Sequence, residues 1–193
     1  MFTSNRPLEV YILLTQTGTG ISRFLRFFSH DQYNHSSLSL DETLTNMVSF
    51  GRRVNWFPFV SGMIYENYQD GIFARYDETV CKVYRLRLTP QQYERLHSQL
   101  NAMLQEMPRY KYSLLGIPLV YFGIPFGRRY RFTCSEFVST LLCRAGVLQP
   151  HKPCPLFRPS DFESLPMLEP VYEGLLREYR PCWQTAHGGL PAV

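Results

Sequence analysis

Near its start the chain carries an unbroken apolar run, Val10-Tyr11-Ile12-Leu13-Leu14, held between Glu9 and Thr15. A run this short predicts a buried strand over residues 9–15. Gln16-Thr17-Gly18-Thr19-Gly20 breaks it, and Ile21, Phe24, Leu25 and Phe28 then recur on one helical face, predicting a helix over residues 21–29. After a loop over residues 31–34 the period changes to two. Leu38 and Leu40 fall on one side, and His35, Ser37 and Ser39 on the other. That alternation predicts a strand with one core face and one polar face. Asp41-Glu42 reads as a turn, and residues 44–50 as the returning strand of a hairpin closed by Gly51.

Residues 51–79 show no sustained period and read as a long irregular segment, of the length that serves as a lid or a binding loop. Residues 80–88 alternate as a strand. Thr89 and Pro90 then supply an N-cap and a first helical residue, with Tyr93, Leu96, Leu100 and Leu104 continuing the helix to about residue 106. Residues 107–132 are punctuated by Pro108, Gly116, Pro118, Gly123, Pro125 and Gly127 and read as loop. A helix opens at Thr133-Cys134-Ser135-Glu136 and ends at Gly146. Four prolines then extend the chain, residues 160–168 hold a turn of helix, residues 171–179 a last strand, and residues from about 183 a loose tail. Strands and helices are partly segregated, so the expected class is α+β, in one domain over residues 1–193.

Composition narrows the function more than the fold. A net charge of +4 without a run of five Lys or Arg argues against a nucleic-acid partner. The densest basic patch, Arg128, Arg129 and Arg131, reads as a solvated loop. No segment approaches the ~18 apolar residues of a membrane span, and residues 1–15 lack the pattern of a secretory signal. The expected compartment is the cytoplasm. Cys81, Cys134, Cys143, Cys154 and Cys182 are odd in number and show no CxxC spacing, so reduced thiols are expected rather than a disulfide framework.

One of these thiols has a distinctive setting. Thr133 and Glu136 are spaced as a capping box, and Phe137, Val138, Leu141 and Leu142 continue as an apolar face. Cys134 is then the first helical residue. There the positive end of the helix dipole lowers a thiol pKa, and unpaired backbone N–H groups can receive an oxyanion. The other four cysteines lack this setting and read as structural. A thiol nucleophile needs a base. Among the histidines, His97 lies on a polar helix surface, His151 and His187 in Pro- or Gly-rich stretches, and His30 at a helix end. His35 stands on the polar face of a strand, where a rigid backbone can aim it.

The block Tyr33-Asn34-His35-Ser36-Ser37-Leu38-Ser39-Leu40-Asp41, followed by Met47-Val48-Ser49-Phe50-Gly51-Arg52, resembles the His-bearing strand pair of the circularly permuted NlpC-type papain-like amidases. These are the YiiX- and YaeF-like branch, with lecithin:retinol acyltransferase in the same permuted group. Phe132-Thr133-Cys134-Ser135-Glu136-Phe137-Val138 looks like their nucleophile helix, and His35 precedes Cys134 in the permuted order. The resemblance covers roughly residues 9–178. It implies an antiparallel sheet carrying His35 packed against a helix carrying Cys134, and a polar residue on the strand after the base to hold the imidazole. Residues 44–50 offer no His and no acid, so Ser49 is the expected third residue and Asn46 the second choice.

The expected oxyanion or substrate-binding residues are Ser135 in the nucleophile's own turn, Tyr33 beside the base, and Gln16 and Thr17 after the first strand. The chemistry implied is thiol hydrolysis of an amide (peptide, isopeptide or N-acyl) through an acyl-enzyme, with no metal or cofactor. Cys143, His151 and Cys154 fit no common zinc spacing. Two alternatives remain: an acyltransferase acting on a lipid or amine, with aromatics of residues 55–75 and 119–132 lining a groove, and a catalytically silent binding module. The substrate itself, a peptide, an amide or an acyl lipid, is not named by the sequence.

Overall fold

The computed structural model describes residues 8–16, 31–52 and 61–181. The expected helix over residues 21–29, Thr17, His30, Cys182, His187 and the expected tail lie outside them.

Eight strands form one sheet: β1 Leu8–Gln16, β2 His35–Ser39, β3 Met47–Arg52, β4 Ser61–Glu66, β5 Val80–Leu88, β6 Lys111–Tyr112, β7 Arg131–Phe132 and β8 Glu169–Leu175. Their spatial order is β7-β6-β4-β3-β2-β1-β5-β8. All neighbours are antiparallel except β6 and β7, which are parallel. The helices are α1 Gly71–Arg75, α2 Pro90–Gln105, α3 Gly116–Tyr121, α4 Cys134–Arg144 and α5 Pro159–Phe162. The class is α+β. Among the described residues no helix is long and apolar enough to cross a membrane.

β1 lies near the middle of the sheet and is buried on both faces, which is why its sequence is continuously apolar rather than alternating. Val10, Ile12 and Leu14 face α2 and α4 with Leu38, Val48, Phe50, Met63, Tyr84 and Leu86, against Leu96, Leu100, Phe137, Val138, Leu141 and Leu142. Tyr11 and Leu13 face a second, smaller cluster with Met47, Phe73, Cys81, Val83, Leu176 and Tyr179. Both long helices begin with reciprocal capping boxes, at Thr89–Gln92 and Thr133–Glu136. Gly146, at φ +73°, lets the chain turn left-handed after α4, and its carbonyl accepts from Gln92 Nε2 at 3.1 Å, tying the end of α4 to the start of α2.

Three expectations are corrected. The return strand begins at Met47, not at residue 44, because Leu44 sits at φ +54°, a left-handed geometry that no strand accommodates. Residues 51–79 contain β4 and α1, and residues 107–132 contain β6, α3 and β7. These elements were illegible because β6 and β7 are two residues each and the apolar run of β4 is only Met63-Ile64-Tyr65. The last strand ends at Leu175, and residues 176–178 turn as a 3₁₀ helix that buries Leu176.

Candidate active site

β2 and β3 pair only at Leu38↔Val48 among the described residues. Toward the start of β2 the ladder opens. In a strand the N–H and C=O of one residue point to the same side, and at Ser36 both are diverted from β3 backbone. The Ser36 N–H donates to the Cys134 thiol, and its carbonyl accepts from Ser49 Oγ at 2.8 Å. The N-terminal turn of α4 occupies this opening. Thr133 Oγ1 accepts from the Glu136 N–H at 3.2 Å, and Glu136 Oε2 accepts from the Thr133 N–H at 3.2 Å, so the turn that carries Cys134 is fixed from both ends. As the first two helical residues, Cys134 and Ser135 have N–H groups with no acceptor one turn back.

The His35 imidazole hydrogen-bonds the Cys134 thiol. Its Nε2 lies 2.9 and 3.2 Å from the two oxygens of Glu66 and 3.3 Å from both Ser37 Oγ and Ser49 Oγ. With Nε2 engaged, Nδ1 is the nitrogen left for the sulfur. Register explains the convergence. Leu38↔Val48 sets Ser37 opposite Ser49, and Met47↔Glu66 sets Glu66 on the same face two residues along. Ser37 Oγ also donates to Glu66, so one carboxylate holds both the ring and a hydroxyl beside it.

These contacts set the charges. Burial alone would push the Cys134 thiol up, but the hydrogen bond and charge of His35, the Ser36 N–H and the Ser135 hydroxyl bring it down to about 7. Burial would likewise lower the His35 imidazole. The Glu66 charge and the hydrogen bonds that the ring gives to Cys134 and Glu66 override it and hold the ring well above its ordinary range. Near neutral pH the arrangement therefore favours a thiolate–imidazolium pair. Cys81 and Cys143 are both pushed up to about 12, chiefly by burial.

Two residues absent from the sequence reading join the site. Glu66 ends β4 and takes the ring position expected of Ser49. Ser49 reaches Nε2 but spends its proton on the Ser36 carbonyl, and Asn46 is solvent-exposed in the preceding turn. Tyr112, on β6, hydrogen-bonds the Cys134 thiol through its phenol, which burial holds well above its ordinary range. It lies opposite Phe132 in the parallel β6–β7 pair, two residues before Cys134. The faint signal for Glu66 was the short apolar run Met63-Ile64-Tyr65 after Gly62, and for Tyr112 the alternating aromatics Tyr110 and Tyr112.

Of the other expected residues, Ser135 is in the site, with Oγ 3.3 Å from Ser36 Oγ and 3.9 Å from Cys134 Sγ. Tyr33 is buried, but its hydroxyl donates to Glu173 on β8 at 3.2 Å and accepts from Gln32, so it serves the far side of the sheet. Gln16 closes β1, one residue beyond the Thr15↔His35 pair. His97 is exposed against Tyr93, and His151 packs on Phe157. Cys143 and Cys154 approach to 3.4 Å, and among the described residues no three His, Cys, Asp or Glu gather as a metal-ligand set. No family model matches this sequence, and no curated protein or solved structure matches it.

Proposed function

We propose that the chain is a papain-like cysteine hydrolase of the permuted NlpC type, cleaving an amide bond through Cys134 and His35. The observation that carries this reading is the helix-capped thiol drawn down to about 7 against an imidazole that Glu66 keeps charged. In the reaction, Cys134 Sγ attacks the carbonyl carbon. The oxyanion is received by the N–H groups of Cys134 and Ser135 and by the Tyr112 hydroxyl. The His35 imidazolium gives its proton to the departing amine as the C–N bond breaks, leaving a thioester. Water then attacks the thioester carbon and yields its proton to His35, and the thiolate leaves with the carboxylic acid as product. Glu66 holds the ring and balances its charge throughout.

A peptidyl or N-acyl electrophile and intact-mass spectrometry test this. The expected result is a single adduct on Cys134, abolished in Cys134→Ala and slowed on the order of a hundredfold in His35→Ala. An adduct elsewhere, or an unaffected rate in His35→Ala, overturns it. A second reading is an acyltransferase, in which an amine or lipid hydroxyl replaces water. The exposed Leu114, Leu115 and Phe122 near the site favour it, and product analysis of the acyl-enzyme's turnover separates the two.

A further inference from the structure

The crossover between the parallel strands β6 and β7, residues 113–130, carries the largest apolar exposures of the described chain. Phe122 is 77% and Leu115 61% exposed, with Leu114 and Ile124 exposed beside them. They flank α3 on both sides, two before it and two after. A side chain of this size left in water is tolerated singly, but four on one short crossover mark a surface that something covers.

The charge around the crossover says what kind of surface covers it. Residues 107–135 contain Arg109, Lys111, Arg128, Arg129 and Arg131 and no Asp or Glu. That stretch alone carries +5 where the whole chain carries +4, so the remainder sums to −1. Arg109 pairs with Glu106 at 2.6 Å, but among the described residues Lys111, Arg128, Arg129 and Arg131 are exposed and lie in no ion pair. Arg128 stacks over Phe126 at 4.3 Å and Arg129 over Tyr130 at 5.2 Å, so these cations are carried on aromatic rings of the same crossover. The far edge of the sheet is the reverse. There Glu169 and Glu173 of β8 are matched by Arg85 and Lys82. Three of the four exposed apolar side chains, Leu114, Leu115 and Ile124, are aliphatic and offer a nucleobase no flat ring to stack on. Apolar side chains that enter acyl chains, on a stretch whose exposed cations can meet phosphate and carboxylate headgroups, match an anionic bilayer.

We propose that the 113–130 crossover is a docking surface for an anionic lipid bilayer. It borders the thiol. Gly116, at the start of α3, packs so closely that a Cβ there would lie 3.3 Å from Thr133 Cγ2, the side chain just before Cys134. Tyr112, which bonds the thiol, is the last residue before the crossover. A protein docked through this segment holds its site at the lipid surface. That consequence for catalysis rests on the cysteine-hydrolase reading, and the docking itself does not.

The test is flotation of the full chain carrying Cys134→Ala with vesicles of phosphatidylcholine, alone or with about a third phosphatidylserine. The expected result is binding to the phosphatidylserine vesicles, weakened by salt. Arg128→Ala with Arg129→Ala should lower partition about twenty-fivefold, roughly fivefold per arginine. Leu115→Ser with Phe122→Ser should lower it on the order of a hundredfold. All four residues are exposed, so thermal unfolding should be unchanged and a loss of binding is not a loss of fold. No binding to phosphatidylserine vesicles at low salt overturns the proposal. So does binding that both double variants retain in full, or retention of RNA or polyglutamate where vesicles are not retained. Because the assay reads no chemistry, its failure leaves the Cys134 reading standing, and failure of the electrophile test leaves the docking standing.

Discussion

His35 is the group through which the centre is coupled, its imidazole held up by the Glu66 charge on one side and by the hydrogen bond with Cys134 on the other. Cys134 at about 7 should be the most reactive thiol, with an iodoacetamide rate that rises through about pH 7 as the thiolate forms. Cys81 and Cys143, pushed up to about 12, should react orders of magnitude more slowly at neutral pH, and mapped labelling by mass spectrometry checks the order. Glu66→Gln removes the charge that keeps the imidazole protonated. A neighbouring charge is worth about one to three pKa units, so labelling at pH 7 should fall by roughly tenfold or more and the pH profile should move upward. Ser49→Ala removes one neutral hydrogen bond at about 0.5–1.5 kcal/mol and should cost only roughly two- to tenfold. If Ser49→Ala is the more damaging change, the ring is held by the hydroxyl and not by Glu66.

At the scale of elements, α4 is the piece on which site and fold meet. Its Glu136 is buried in the capping box, and burial, opposed by the Thr133 N–H, pushes its carboxyl up to about 7. For an acid raised in the folded state, the associated stability is fully present below the unfolded value, near 4.5, and is lost as pH climbs through about 7. Glu136→Gln keeps an N3 acceptor without the charge. It should therefore change little near pH 4 and stabilise the protein at pH 8 by on the order of 3 kcal/mol, read as a pH-dependent difference in denaturant midpoints. An equal effect at both pH values would mean that Glu136 is not charged in the fold. β2 and β3 carry the complementary device. Because their ladder pairs only at Leu38↔Val48 among the described residues, Ser36 is left to serve the thiol and Ser49 instead of the β3 backbone.

For the whole molecule, two kinds of apolar side chain stand apart, those buried in the core and those left in water. Phe137 is fully buried on α4, with its ring 5.1 Å from Phe50 on β3, so it joins the helix that carries Cys134 to the sheet that carries His35. Phe137→Ala should cost about 3–5 kcal/mol in urea denaturation. Phe122→Ala, at a residue of the same type standing in water, should fall within about 0.5 kcal/mol. Comparable costs would mean that the α3 crossover is part of the core and not a surface. The contrast also separates positions that hold the fold from those the surface devotes to something else.

What the sequence determined by itself is what local chemistry encodes. The central strand followed from an apolar run that only two-sided burial tolerates. The α2 and α4 starts followed from capping residues, and the Cys134 setting from the same Thr133–Glu136 pair. His35 was legible as a polar-face histidine on a strand. What only the tertiary structure decided is which distant residues share a register. Glu66 follows a three-residue apolar run, and Tyr112 sits in a two-residue strand. Neither has a periodicity of its own, because each is held by neighbouring strands and not by its own segment. A hydrogen bond between His35 and Glu66 spans 31 residues and one between Tyr33 and Glu173 spans 140, so partner choice at both depended on chain closure that no local pattern records.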